Sequence, residues 1–320
     1  MMFRFLLRRL VLIPFILLAA NLFGFYFAFS VAPIVSASNP YAQGNLELPS
    51  VVPEYLNYIS NVARGSFGTT FTGENVTEAI ARVSIASLGL IGLSLTLSIL
   101  FGVFFGRLAV RRNSVGVSTW LTFASTIGLA LPSFYVATLL ITLFLFIFIY
   151  ATNGNTILIP FQGFGWDAHI ILPLLALTFQ PTVKIAQVTG SLLSEELEKQ
   201  YVTASLSFGH SFKSLKDKFV FRSIIAPILL TIASSLRLMI AELIIIERLF
   251  NWPGLGRLVA SALSIGARSQ DVLSPPLIAA LLTVLVGLFL LIDLFATTLS
   301  RVIDPRLRVE TEINSASNKK

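Results

Sequence analysis

The chain has 320 residues, of which 55% are hydrophobic and only 12% charged, where a soluble globular protein carries roughly 25% charged residues. A mean hydropathy of +0.83 leaves too little polar surface to cover a water-facing fold of this size, so a soluble enzyme, a nucleic-acid binder and a disordered protein are excluded together. With no Cys there is no disulfide, thiolate chemistry or Cys-based metal site, and cysteine usage says nothing about redox compartment.

A helix needs about 20 apolar residues to cross roughly 30 Å of hydrocarbon. The first such run is Leu10 to Ala32, preceded by Arg4, Arg8 and Arg9. It is longer than the roughly 7–15-residue apolar core of a cleaved signal peptide, so it is read as a retained span. Val83 to Gly106 is the second. From Asn113 to Trp166 no residue is charged; Pro132 splits this run and Ser133 to Tyr150 makes the third span. The fourth, His169 to Ser191, is interrupted by Lys184. The fifth, Ile224 to Ile246, holds Arg237 and Glu242, and the sixth, Pro275 to Leu299, holds Asp293. The expected fold is therefore an all-α integral membrane protein with six transmembrane helices.

Six spans place both termini on one side. If that side is cytoplasmic, sixteen basic residues lie inside: the three N-terminal Arg, then Arg107, Arg111 and Arg112, five between Lys199 and Arg222, and Arg301, Arg306, Arg308, Lys319 and Lys320. Five lie outside: Arg64, Arg82, Arg248, Arg257 and Arg268. This bias orients both termini toward the cytoplasm by the positive-inside rule. It also accounts for the net charge of +7: these residues hold topology and meet anionic membrane lipid, and no nucleic acid is implied.

The chain divides into an N-terminal segment with the first span (1–32), an external piece (33–82), a five-helix core (83–308) with a cytoplasmic loop (192–222), and a polar tail (309–320) read as disordered. Within the external piece, Tyr55, Tyr58, Ile59 and Val62 at helical spacing mark a helix near Glu54 to Ala63. A second outer segment, Glu247 to Ser274, carries the turn Trp252-Pro253-Gly254. No phosphate-binding loop, HExxH or nucleophile elbow occurs, and His169 and His210 fall on opposite sides of the membrane, so they share no metal. No catalytic residue and no cofactor or metal site is expected on this chain. Uphill transport would have to be driven by an ion gradient or by another chain's ATP.

Within the cytoplasmic loop, Tyr201-Val202-Thr203-Ala204-Ser205-Leu206-Ser207-Phe208-Gly209 reads as a short helix of small residues ended by a Gly free to take positive φ. Small residues let another protein approach closely, and such a helix between two spans could pass force into both. A long surface loop with an incidental turn is the alternative.

This segment resembles the EAA loop of permease subunits of binding-protein-dependent ABC importers, in the oligopeptide/dipeptide/nickel branch. Tyr201 and Val202 stand at that family's distance from Gly209, and Pro227 lies 18 residues beyond the Gly, as in the family pattern. Arg8-Arg9-Leu10 resembles the family's start. Tyr55-Leu56-Asn57 and the run Arg64 to Thr70 resemble its external segments, and Leu131-Pro132-Ser133-Phe134 its PSF turn. Glu247 to Gly256 is similar to its WPGLG segment, and Asp304 to Arg308 to its DPRIR ending. There are departures: the EAA positions read Thr203, Ala204 and Ser205; Gln187 and Gly190 stand where Arg is frequent; the gap from Asp293 to Asp304 is longer than usual; and Glu242 replaces a small residue.

The resemblance implies the type I ABC-importer permease fold in a prokaryotic plasma or inner membrane, paired with a second homologous permease. It implies two ATP-binding subunits that hold ATP and Mg, and an external solute-binding protein. Tyr201 to Gly209 would then be the coupling helix. Peptide is the expected cargo; oligosaccharide remains an alternative, and nickel is less suited to spans with no Cys and His169 only at an edge. Two rivals are an ion-coupled secondary transporter, which would need inverted repeats and midplane ligands, and a purely structural subunit, in which changes around Gly209 leave a partner's ATPase untouched.

Each intramembrane charge costs roughly 2.5–3.5 kcal/mol at mid-helix on insertion scales. Arg237 and Glu242, five apart, lie on different helix faces and are poor partners for each other. They are candidates to line the pathway or to pair with the second permease. Lys184 and Asp293 lie near the cytoplasmic ends of their spans and are expected to snorkel. Outside, Tyr55, Tyr58, Phe67 and Trp252 are candidate docking residues for the binding protein, against a plain covering role. Asn75-Val76-Thr77 is the one glycosylation sequon.

Overall fold

A computed structural model describes residues 2–38, 50–111, 116–151, 159–263 and 273–303. Ten principal helices run in order: α1 (Met2–Ser38), α2 (Val51–Ala63), α3 (Val76–Leu108), α4 (Thr119–Ala130), α5 (Ser133–Phe146), α6 (Ile171–Leu197), α7 (Gln200–Ser207), α8 (Ile225–Leu249), α9 (Leu255–Ala262) and α10 (Pro275–Ile303). Six helical segments are long and apolar enough to span a bilayer: Arg9–Ile34, Val76–Leu108, Ser133–Tyr150, Ala168–Leu197, Ile225–Leu249 and Pro275–Leu299. They match the six expected from hydropathy. The third is completed by a π-helical turn, Ile147–Ala151.

The boundaries differ where caps outrank hydropathy. α3 begins seven residues before the apolar run, because the Asn75 side chain accepts the Thr77 backbone N–H at 3.0 Å and caps the helix. Pro33 lies inside α1, which continues to Ser38. The stretch between the two helices is correspondingly shorter than 33–82. The helix expected near Glu54 to Ala63 is α2. The tail beyond 309 and the Asp304 to Arg308 motif lie outside the described residues.

The chain forms two compact units. The first comprises Met1–Gly89, Gln162–Phe164 and Leu243–Leu291. Its core joins Ala28 of α1, Val76 and Ile80 of α3, Leu255 and Val259 of α9, and Leu277, Ile278 and Leu281 of α10. Beside it Phe25 stacks on Tyr58, centroids 5.1 Å apart. A polar group inside such a core needs partners. Asn21, 3% exposed, has them: Nδ2 donates to Tyr58 Oη at 3.1 Å and Thr283 Oγ1 at 3.0 Å, and Oδ1 accepts the Tyr55 hydroxyl at 3.3 Å. One buried amide thereby ties α2 to two spans.

The second unit comprises Leu90–Phe161, Gly165–Glu242 and Ile292–Lys320. Between apolar helices in lipid, association rests on close packing rather than on water exclusion. Gly102 and Gly106 supply it on α3: a Cβ at Gly102 would lie 2.7 Å from Ile185 Cβ, and one at Gly106 2.6 Å from the Ala186 carbonyl oxygen of α6.

Candidate functional site

The segment between α6 and α8, in the second unit, folds as its local chemistry requires. α6 ends at Leu197, and after the extended Lys199 the chain enters α7. α7 closes on a Schellman arrangement: His210 N–H donates to Ser205 O at 3.2 Å, Gly209 N–H to Leu206 O at 3.0 Å, and Gly209 takes φ +87°. Ser205 and Ser207 hydroxyls return to the Tyr201 and Thr203 carbonyls at 2.7 and 3.1 Å. These two serine hydroxyls are therefore satisfied within the helix.

One side of α7 is anchored. Val202, 1% exposed, packs in a cluster with Val110, Leu193, Val220, Ile224 and Ile228. The Tyr201 hydroxyl donates to Glu196 Oε1 at 3.0 Å; burial, then the adjacent Glu196 carboxylate, pushes the Tyr201 pKa up. The other side is open. Thr203, Ala204, Ser207 and Gly209 are exposed, Ser205 and Leu206 are partly so, and Phe208 projects with 85% of its surface free. Phe208 is the functional candidate that sequence reasoning passed over. Its signal was an aromatic side chain just before the terminating Gly, outside the apolar periodicity.

Beyond Gly209, Ser211 Oγ accepts the Ser214 N–H at 3.3 Å and starts a helical stretch over 212–223 with a π turn at Leu215–Val220. Lys216 Nζ donates to the Arg107 and Val110 carbonyls, both at 2.7 Å, which closes the C-terminal end of α3 as a cation should. Burial lowers the Lys216 pKa. Arg107 pairs with Asp217 at 2.7 Å and lies 4.8 Å over the Phe221 ring. Pro227 occupies the first turn of α8, where its missing N–H has no intrahelical role.

Of the intramembrane charges, Arg237 pairs with Asp293 at 2.7 Å. This corrects Asp293 as a residue that snorkels alone, and it gives Arg237 a partner within the chain. The two lie 56 positions apart, so the pairing comes from helix packing and not from local spacing. Glu242 is half-buried, with its carboxylate facing Ser133 at the start of α5. Lys184 makes no ion pair among the described residues.

Residues 98–309 match the family described as binding-protein-dependent transport system inner membrane component. The chain belongs to that family. It is 30% identical to a probable peptide ABC transporter permease protein of Sinorhizobium fredii across 80% of each chain. It is 26% identical to the dipeptide transport system permease protein DppB of Lactococcus lactis, again over 80% of each. It is 27% identical to the oligopeptide transport system permease protein AppB of Bacillus subtilis over 79% of each. Its fold is shared with a chain of the MetNI methionine ABC transporter in an inward-facing conformation, with TM-score 0.55, 16% identity, and coverage of 71% of this chain and 97% of that one. As an inner membrane component it is a multi-pass membrane protein.

In this permease-family chain the outer candidates are redistributed. Trp252 is fully buried: its Nε1 donates to the Ala86 carbonyl at 3.1 Å and its ring meets Phe164 edge-on at 4.7 Å. Tyr58, 5% exposed, is consumed by Asn21 and Phe25. Neither offers docking surface, because each satisfies its polar atom inside the first unit. Tyr55 and Phe67 are partly buried, and α2 instead exposes Leu56, Asn57 and Asn61. The Asn75 sequon has a structural use: Asn75 caps α3, and Thr77 Oγ1 accepts the Phe67 N–H at 3.3 Å.

Glu247, read from sequence as the start of an outer loop, is fully buried. Ser87 Oγ donates to its Oε1 at 2.6 Å, Arg257 N–H to its Oε2 at 3.0 Å, and Ser87 Oγ accepts the Leu255 N–H at 2.7 Å. A Cβ at Gly254 would overlap the carboxylate. This explains the Gly after Trp-Pro as a matter of space.

Proposed function

We propose that this chain forms half of the translocation pathway of an ATP-driven importer for oligopeptides or dipeptides. Both termini face the cytoplasm, and an external solute-binding protein delivers the cargo. A second homologous permease completes the pathway, and two ATP-binding subunits, which hold ATP and Mg, supply the energy. The observation that carries this reading is α7. It is a short helix between two spans, bolted to the spans by Val202, with Thr203, Ala204, Ser207 and Phe208 turned outward. Such a part can enter a cleft of an ATPase subunit and transmit its closure to α6 and α8. The two pathway conformations are the bistable element, and ATP biases them through differential contacts at α7. Peptide as cargo is favoured by the names of the relatives that match over four-fifths of the chain.

The test is purification of the chain in mild detergent with its associated subunits, followed by ATPase assay. Recovery of two ATPases and a second permease, with hydrolysis stimulated by peptide plus binding protein, is the expected result. Stimulation by oligosaccharide alone would replace the cargo. A chain that purifies without any ATPase would overturn the assignment of α7.

A further inference from the structure

In the second unit a cleft of about 920 Å³ lies between the cytoplasmic end of α3 and the stretch 212–223. Its wall is apolar: Ile99, Leu100, Val103 and Phe104 of α3, with Phe221 opposite. Leu100 and Phe104 are 60% and 58% exposed, as expected on the lipid face of a membrane span. Its mouth carries Arg107, Lys213 and Lys216 against Asp217.

The balance of charge at the mouth is positive. Asp217 is engaged by Arg107. Lys216 spends two of its donors on neutral carbonyls and forms no ion pair among the described residues, which leaves a third donor free. Lys213 is exposed beside it. From Leu100 to Arg107 the helix rises roughly 10 Å, so the apolar wall lies in hydrocarbon when the basic mouth lies at headgroup depth. We propose that this cleft is a binding site for one anionic phospholipid. The phosphate sits on Lys213 and Lys216, and an acyl chain runs down Leu100, Val103 and Phe104. A zwitterionic lipid brings no net negative charge for the mouth, and a free phosphate has no use for the wall. Basic pockets on the cytoplasmic side of span bundles hold lipid headgroups by this combination. Because the same lysine closes α3 and belongs to the stretch that follows α7, bound lipid also holds the coupling segment against the bilayer.

The full complex, delipidated and titrated separately with phosphatidylglycerol and phosphatidylcholine, is read by native mass spectrometry. At least about tenfold stronger retention of phosphatidylglycerol is expected for a site with two lysines outside any ion pair near the surface, each worth about 1 kcal/mol. Lys213→Glu should reduce that preference several-fold. Lys213 is exposed, so the substitution spares the core. Independently, Leu100→Trp should be quenched more by brominated phosphatidylglycerol than by brominated phosphatidylcholine, measured as the increment over the parent protein. Equal retention of the two lipids, an unchanged Lys213→Glu, or equal quenching would overturn the proposal. Displacement of the lipid by inorganic phosphate at matched concentration would also overturn it, since the apolar wall would then contribute nothing.

Discussion

Neutralising Asp293 takes from Arg237 the carboxylate it pairs with inside a span. Two unit charges about 4 Å apart attract by about 4 kcal/mol at an effective dielectric near 20. The side chains are 35% and 41% exposed, so screening reduces that attraction to about 1–2 kcal/mol. The orphaned charge adds a further penalty, up to roughly 2.5–3.5 kcal/mol at mid-helix and less where the side chain reaches the interface. Asp293→Asn alone should therefore destabilise by about 2–4 kcal/mol and Arg237→Gln by at least the lost attraction, whereas the double substitution should lose only about 1–2 kcal/mol. The exchange Arg237→Asp with Asp293→Arg should recover part of the loss. The measurement is thermal unfolding of the complex in nanodiscs for all four variants, with ATPase activity in the presence of binding protein and peptide measured in parallel. Additive effects of the two single substitutions would refute the pairing. An Arg237→Gln variant of parental stability but altered peptide preference would refute it too, and would place Arg237 in the pathway.

Phe208→Ala should lower ATPase association and transport-coupled hydrolysis at least severalfold while leaving the thermal midpoint of the isolated chain unchanged, because an 85% exposed ring contributes little to folding. Gly209→Val should disturb both, since a β-branched residue at φ +87° strains the turn by roughly 1–2 kcal/mol; circular dichroism and ATPase assay together separate it from Phe208→Ala. Glu247→Ala should destabilise by about 3–5 kcal/mol, through the stranded Ser87 hydroxyl and Arg257 N–H and the space left behind; a thermal midpoint within a degree of the parent would contradict this. Tyr58, pushed up by burial from 10.0 to about 12, stays neutral in the native state where the unfolded chain already ionises. Its contribution to stability is complete below pH 10 and is lost as pH rises toward 12. The tyrosinate absorbance difference between parent and Tyr58→Phe should have its midpoint near the higher value.

The six spans were legible because crossing a bilayer is a demand on run length and hydropathy, and both are local. The end of α7 was legible for a similar reason: a positive φ after a helix selects Gly209 from its immediate chain neighbours. What escaped was set by partners distant in sequence. Trp252 beside a Pro-Gly turn reads as surface until Ala86, 166 positions away, accepts its indole N–H. Glu247 reads as the first residue outside the membrane until Ser87 and the α9 backbone enclose it. Asp293 reads as a snorkelling side chain until the packing of α8 and α10 delivers Arg237. The early start of α3 was hidden differently: Asn75 reads as part of a sequon, and its capping role competes with that pattern at the same residue.

An isolated helix shorter than about 12–15 residues is marginal in water, and α7 has eight. Its helicity is thus on loan from the Val202 anchor and the clasp at Gly209. A free peptide of this sequence would not reproduce its shape. Whatever grips α7 therefore recognises a folded surface and not a linear signal, and an assembly partner would have to wait until α3, α6 and α8 have packed beneath it. On the proposed assignment of α7, recruitment of the energy-supplying subunits is made conditional on correct folding of the pathway they drive, a quality check built into eight residues.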